Sequence, residues 1–136
     1  MLLAAKRAEE HEVPDLVTIS SHQKVGEAID VMQRYSISQL PVVRDGSESL
    51  ADFIGSLQDR DLLDRVFKNP DALHEDVVAA MQPPLAAVDM GQSLDQVFST
   101  LTGRTNAVVV ASDGRPVGVL TRSDLLEYLA HQRQTV

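Results

Sequence analysis

The stretch Gly118-Val119-Leu120-Thr121-Arg122-Ser123-Asp124-Leu125-Leu126 is written a second time, in looser form, as Gly55-Ser56-Leu57-Gln58-Asp59-Arg60-Asp61-Leu62-Leu63. Each copy runs from a glycine through an apolar strand end and a polar turn to an aspartate and a Leu-Leu pair. Asp61 and Asp124 stand 63 positions apart in a chain of 136 residues. A repeat that sets one carboxylate at the same strand-to-helix junction in both halves describes one fold used twice. Two related pockets follow from it. That is the layout of a ligand-binding module more than of an enzyme.

Working outward, each half spells the same element order. In the first, Leu16-Val17-Thr18-Ile19 is β-prone, and Val25, Ala28, Ile29 and Met32 fall at helical spacing. Leu40-Pro41-Val42-Val43 reads as a buried strand, Asp45-Gly46 as a turn, and Phe53 to Leu57 as the return strand. Leu62, Leu63, Val66 and Phe67 predict the inward stripe of a second helix that Asn69-Pro70 ends. In the second half, Leu85-Ala86-Ala87-Val88, the stripe Leu94, Val97, Phe98 and Leu101, the strand Ala107 to Val110, the Asp113-Gly114 turn and the strand Val117 to Leu120 follow in the same order. Leu125, Leu126 and Leu129 are expected to face inward from the closing helix. The turns stand 68 apart and the aspartates 63, which places a five-residue insertion within Ser47 to Asp52 of the first half.

Each half is therefore β-α-β-β-α, too small to bury its sheet alone. The expected fold is α+β, two such motifs packed as an intramolecular pseudo-two-fold pair. The expected boundaries are a helix or tether over 1–12, a first motif over 13–68, a linker over 69–84, a second motif over 85–131 and a tail over 132–136. A short helix is expected at Val77–Met81, stopped by Pro83-Pro84.

Composition narrows the function. A formal charge of −8 and only 4% aromatic residues argue against a nucleic-acid surface. The chain has no cysteine, which excludes disulfides, thiolate metal sites and a cysteine nucleophile. His11, His22, His74 and His131 show no metal-ligand spacing. No apolar run is long enough to span a bilayer and no secretory pattern opens the chain, so a cytoplasmic protein is expected. No paired acid and base, and no nucleophile with a histidine, stands out for a hydrolase. Glu9-Glu10-His11-Glu12 reads as a solvated helix face.

The string Gly118 to Leu126, with Gln39-Leu40-Pro41-Val42-Val43 before the first turn, resembles the CBS motif. Two in tandem resemble a Bateman module, and the resemblance covers about residues 13 to 131. The combination of Val13-Pro14-Asp15-Leu16-Val17, Ser36 to Val43, Met81-Gln82-Pro83-Pro84-Leu85 and Gly114 to Arg122 is similar to the C-terminal regulatory region of bacterial cystathionine β-synthases. That family implies a pyridoxal-phosphate catalytic domain elsewhere, with this chain either a piece of such an enzyme or a stand-alone relative. It also implies a homodimer, no cofactor of the chain's own, and an adenosyl ligand: S-adenosylmethionine first, then AMP, ADP or ATP.

By the same resemblance, one pocket combines Thr121, Ser123 and Asp124 with Asp15, Leu16, Thr18, Ile37, Ser38, Gln39 and Leu40. The carboxylate of Asp124 suits a ribose diol, the hydroxyl of Thr121 and the helix start suit a polar ligand tail, and backbone groups near Ser38 to Leu40 read the adenine edge. A second pocket uses Gln58, Arg60 and Asp61 with Leu85, Ala86, Asn106 and Ala107. It departs from the motif at Gln58, where a compact hydroxyl is expected, so it is weaker or empty. Asp15 favours a cationic ligand group, whereas Arg60 and Arg122 favour phosphates. A plainer reading stands beside this one: Thr121-x-x-Asp124 also fits a helix capping box that needs no ligand. Recurrence within a matched repeat favours ribose binding for Asp124 and leaves Asp61 balanced between the two. The alternative function is a ligand-free module that only drives assembly.

Overall fold

Val25, Ala28 and Met32 lie one turn and then two turns apart along a helix, and all three are buried in a computed structural model of the chain. That model describes residues 16–44, 49–91, 94–102 and 107–134. In order the strands and helices are β1 (Ile19–Ser20), α1 (Val25–Tyr35), β2 (Gln39–Val43), β3 (Phe53–Gln58), α2 (Asp59–Lys68), α3 (Val77–Ala80), β4 (Ala87–Asp89), α4 (Leu94–Thr102), β5 (Ala107–Ser112), β6 (Arg115–Thr121) and α5 (Arg122–Gln134). The fold is α+β, with two three-stranded sheets ordered β1-β2-β3 and β4-β5-β6. Each opens with a parallel pair and closes with an antiparallel one. The chain divides into two compact units: Val17–Pro84 is one, and Leu16 groups with the residues from Leu85 onward in the other.

The repeat holds to the level of register. Val42 pairs with Gly55 and Val43 with Phe53, skipping Ile54; Val110 pairs with Gly118 and Ala111 with Pro116, skipping Val117. The same β-bulge thus sits at the same place in both sheets, where it increases the local twist and bends the strand. The central strands β2 and β5 are almost wholly buried, as their unbroken apolar runs require. Each unit has its own core. Ile19, Leu40, Val42, Leu57 and Leu62 belong to the first; Val88, Val97, Val108, Leu120 and Leu125 belong to the second. The Asp113-Gly114 turn holds both residues at positive φ (53° and 78°), the conformation a two-residue hairpin needs and glycine adopts without strain. Its first-half counterpart, Asp45-Gly46, lies outside the described residues.

The linker is not a loose connection. It forms a 3-10 turn at Pro70–His74 and then α3, which ends at Ala80 before the two prolines and buries Val77 and Ala80 in the first core. Val25 N–H donates to the Glu75 carbonyl at 2.9 Å and Val77 N–H to the Gln23 carbonyl at 2.8 Å, which ties the linker to the start of α1. Part of the first-half insertion forms a second 3-10 turn, Leu50–Asp52, capped by Ser49.

The helix faces correct the sequence expectation. On α2, Leu62 is buried and Val66 packs against the core, but Leu63 is 72% and Phe67 85% exposed. On α5, Leu125 is buried while Leu126 is 69% exposed, Leu129 is exposed, and Tyr128 is buried instead. Adjacent residues on a helix point about 100° apart, so only one leucine of each Leu-Leu pair can face the core. Phe98 of α4, expected inside, is likewise exposed.

Candidate functional site

Strand β6 ends in Thr121 and α5 begins at once, so Thr121 occupies the cap position and Asp124 the third position of the helix. The two side chains close on each other. Thr121 N–H donates to Asp124 Oδ2 at 2.8 Å, Thr121 Oγ1 donates to the same oxygen at 2.9 Å, and Asp124 N–H donates to Thr121 Oγ1 at 3.2 Å. This is a reciprocal capping box, which satisfies donors that the helix start leaves unpaired. The negative carboxylate also sits at the positive end of the helix dipole. Ser123 is exposed and Asp124 half-buried beside it. Arg122 holds the turn from behind: its Nε donates to the Leu101 carbonyl at 2.5 Å, which pins the turn to the last turn of α4. Sequence reasoning missed this contact, because a guanidinium bound to a main-chain carbonyl leaves no motif.

The first-half turn is built on the same backbone with different chemistry. Gln58 holds the extended conformation of a cap residue (φ −123°, ψ 138°) but makes no capping hydrogen bond. Asp61 is half-buried and, among the described residues, has no side-chain hydrogen bond. Asp59 N–H donates to the Ser38 carbonyl at 3.0 Å, so the β3–α2 junction is joined to the entry of β2. Arg60 is exposed and makes no ion pair among the described residues.

Within the first unit, Gln39 faces Gln58 and Leu40 faces Leu57 across the sheet. Ser38, Gln39 and Leu40 are therefore brought beside the Gln58 turn. Leu40 is fully buried in the core, so it presents main chain only. Gln39 is buried, and Ser38 Oγ donates to its Oε1 at 3.2 Å. Ile37 packs against the same core, and Thr18 is half-buried just before β1. Within the second unit, Ala107 faces Thr121, and Val109 N–H donates to the Ala86 carbonyl at 2.8 Å. Ala107 is buried, Leu85 half-buried and Ala86 exposed. Leu16 is half-buried. Asp15 and Asn106 lie outside the described residues, as does the segment 1–12. Among the described residues, no group of His, Asp and Glu is placed to hold a metal ion, and no helix is long and apolar enough to cross a membrane.

Comparison with known proteins bears on this arrangement. The family model for the CBS domain matches twice, at residues 9–68 and 75–131. An inosine-5'-monophosphate dehydrogenase from Methanocaldococcus jannaschii is 33% identical over 124 residues, which is 91% of this chain and 24% of that protein. This chain thus spans about a quarter of that relative. The CBS-domain containing protein ATU1752 from Agrobacterium tumefaciens superposes with a TM-score of 0.78 at 22% identity, covering 94% of this chain and 92% of that one. The CBS domain of a bacterial CNNM/CorC family Mg2+ transporter, solved in complex with ATP, superposes with a TM-score of 0.73 at 20% identity, over 93% and 92%. At these identities the structures establish a shared fold. None of these matches points to cystathionine β-synthase.

Proposed function

This chain belongs to the CBS-domain family and carries that domain twice, and on that premise we propose that it is a regulatory module that binds an adenosyl ligand and does no chemistry of its own. The observation that carries the reading is the Thr121–Asp124 turn. It sets a carboxylate and a hydroxyl together at the start of a helix, half-buried and oriented by their own hydrogen bonds. Vicinal ribose hydroxyls would donate to the Asp124 carboxylate, which offers about four acceptor sites. A phosphate or other polar tail would lie against Thr121 and the helix start. At this turn the proposed contacts are Thr121, Ser123 and Asp124. The Asp61 turn, lacking a hydroxyl at Gln58, is the weaker of the two.

Adenine nucleotides lead as ligands because an ATP complex is known for a CBS domain of this fold; S-adenosylmethionine is the second choice. Arg60, with no ion pair among the described residues, supports phosphate at the Asp61 turn, while Arg122 already donates to Leu101. The ligand would act by binding two arrangements of the module unequally. The proposed setting is the cytoplasm. The regulated partner is a catalytic domain: the resemblance suggests a pyridoxal-phosphate-dependent one, the curated relative a dehydrogenase.

Isothermal titration with ATP, AMP and S-adenosylmethionine tests the reading. Binding is expected for one of them, and Asp124→Ala should weaken it by about tenfold or more, the worth of a charged hydrogen bond. No heat with any of the three at millimolar ligand would overturn it. A second reading, a ligand-free assembly module, draws on the capping box itself, which gives Asp124 a structural task. Circular dichroism of Asp124→Ala keeps the two apart: a folded variant that has lost binding supports the ligand.

A further inference from the structure

Arg122 is the first residue of α5. A cation there opposes the dipole of its own helix. Its guanidinium reaches instead to the far end of α4, where Nε donates to the Leu101 carbonyl at 2.5 Å. Carbonyls in the last turn of a helix lack partners within it and form its negative end, which favours a cation. Arg122 thus runs from the positive end of one helix to the negative end of another, both inside the unit that contains β6.

The repeat shows that the fold does not require this. Gln39 pairs with Gln58 and Ala107 with Thr121 as the first rungs of the two antiparallel pairs, so Gln58 corresponds to Thr121 and Asp59 to Arg122. Met32 and Leu101 close the same helical stripe in the two halves. In the first half the Met32 carbonyl accepts from the main-chain N–H of Ile37 at 3.0 Å, after Ser36 turns into the left-handed conformation (φ 54°). Backbone closes that helix end, and Asp59 is held at the turn by its main-chain N–H on the Ser38 carbonyl. The side chain beside the ligand turn is then negative in the first half and positive in the second, a reversal from −1 to +1 at equivalent positions.

We propose that Arg122 makes the Asp124 turn selective for adenosyl ligands that carry a phosphate, over neutral or cationic ones such as adenosine or S-adenosylmethionine; this rests on the adenosyl reading of that turn. The Leu101 carbonyl is neutral, so the hydrogen bond to it orients the guanidinium and leaves its charge in place. A guanidinium already held loses little freedom when an anion arrives, and its fork of donors matches phosphate oxygens. An anion beside Arg122 also offsets the cost of a cation at the start of α5. At the Asp61 turn, Arg60 is flanked by Asp59 and Asp61, which makes its pull on phosphate the weaker. One backbone used twice thus carries two different preferences for ligand charge.

Titration with AMP, adenosine and S-adenosylmethionine tests this, with the AMP-to-adenosine affinity ratio as the readout. The native chain should prefer AMP. Arg122→Gln should lower that ratio by about tenfold or more, the worth of a charge-assisted hydrogen bond, and Arg122→Lys should keep most of it. Arg122→Glu, which copies the charge of Asp59, should turn the preference toward S-adenosylmethionine. Loss of a purely structural contact would weaken all three ligands alike and leave the ratio where it was, and that result would overturn the proposal. A second measurement needs no variant: the Arg122 Nε–H resonance of the native chain, followed by NMR, should move with AMP and hold still with adenosine. An equal response to both overturns the proposal while the adenosyl reading stands. A native chain that binds none of the three at millimolar ligand overturns that reading, and the selectivity with it.

Discussion

Two turns with one backbone and different side chains isolate what a hydroxyl contributes. Thr121 exchanges hydrogen bonds with Asp124, and Gln58 makes none with Asp61. Thr121→Val keeps the shape and removes Oγ1, so chemical denaturation should show a loss of about 1 kcal/mol. Gln58→Thr installs the missing partner on a residue already in cap geometry and should gain about 0.5–1 kcal/mol. If Gln58→Thr also strengthens adenosyl binding at the Asp61 turn, the hydroxyl belongs to the ligand site as well as to the cap. An unchanged stability would show that the two turns differ in more than this side chain. Both aspartates were legible in the sequence because a repeat exposes them. The capping geometry was legible as a pattern. Arg122 was not, since its partner is the Leu101 carbonyl, which every residue type possesses.

Between elements, the contacts that decide the fold are mostly main chain and close approach. Gly55→Ala would drive a methyl into Gln82 and Met81, and should destabilise by about 1–3 kcal/mol because the blocking atom on one side is backbone. Lys24 and Asp76 join the start of α1 to the linker at 2.6 Å, and this hydrogen bond with its attendant charge attraction holds the Asp76 carboxyl below its ordinary 3.8. A carboxyl whose folded value is lowered adds stability at pH above its unfolded value, and loses it as pH falls through the folded one. Native chain and Lys24→Met should therefore differ most above about pH 4 and converge below that value as the carboxyl protonates; curves that stay parallel to pH 2 would remove the pair as a cause. The element order, the return strands and the 113–114 hairpin were readable because turn residues and apolar runs act locally; the bulge in each return strand was not. The inward faces of α2 and α5 were not. Leu62 and Leu63, or Leu125 and Leu126, are identical letters, and only the direction from which the sheet is approached separates core from surface. Tyr128 was passed over for the same reason, although it lies one turn beyond Leu125.

At the scale of the molecule, those misread faces carry their own argument. Leu63 and Leu126 occupy equivalent positions of the repeat and are exposed to nearly the same degree, 72% and 69%. Phe67 follows Leu63 by one turn of the same helix at 85% exposure. Large apolar side chains that recur at one site of a repeat and face water are candidates for an association surface. The expected partner is a second copy of the chain, the homodimer that the family resemblance implies. Sedimentation should find a dimer at micromolar concentration. Phe67→Glu and Leu126→Lys should each shift it toward monomer without loss of secondary structure, because neither side chain supports a core. A native chain that stays monomeric at every concentration would leave these leucines to a different partner. Ligand and assembly then become separable. A ligand held at 100 times its Kd stabilises the folded form by about 2.7 kcal/mol. If that shift persists in the monomeric Phe67→Glu chain, the adenosyl site is complete within one copy. If it disappears, binding and association are coupled, and the coupling is the route by which an occupied Asp124 turn is felt by a partner.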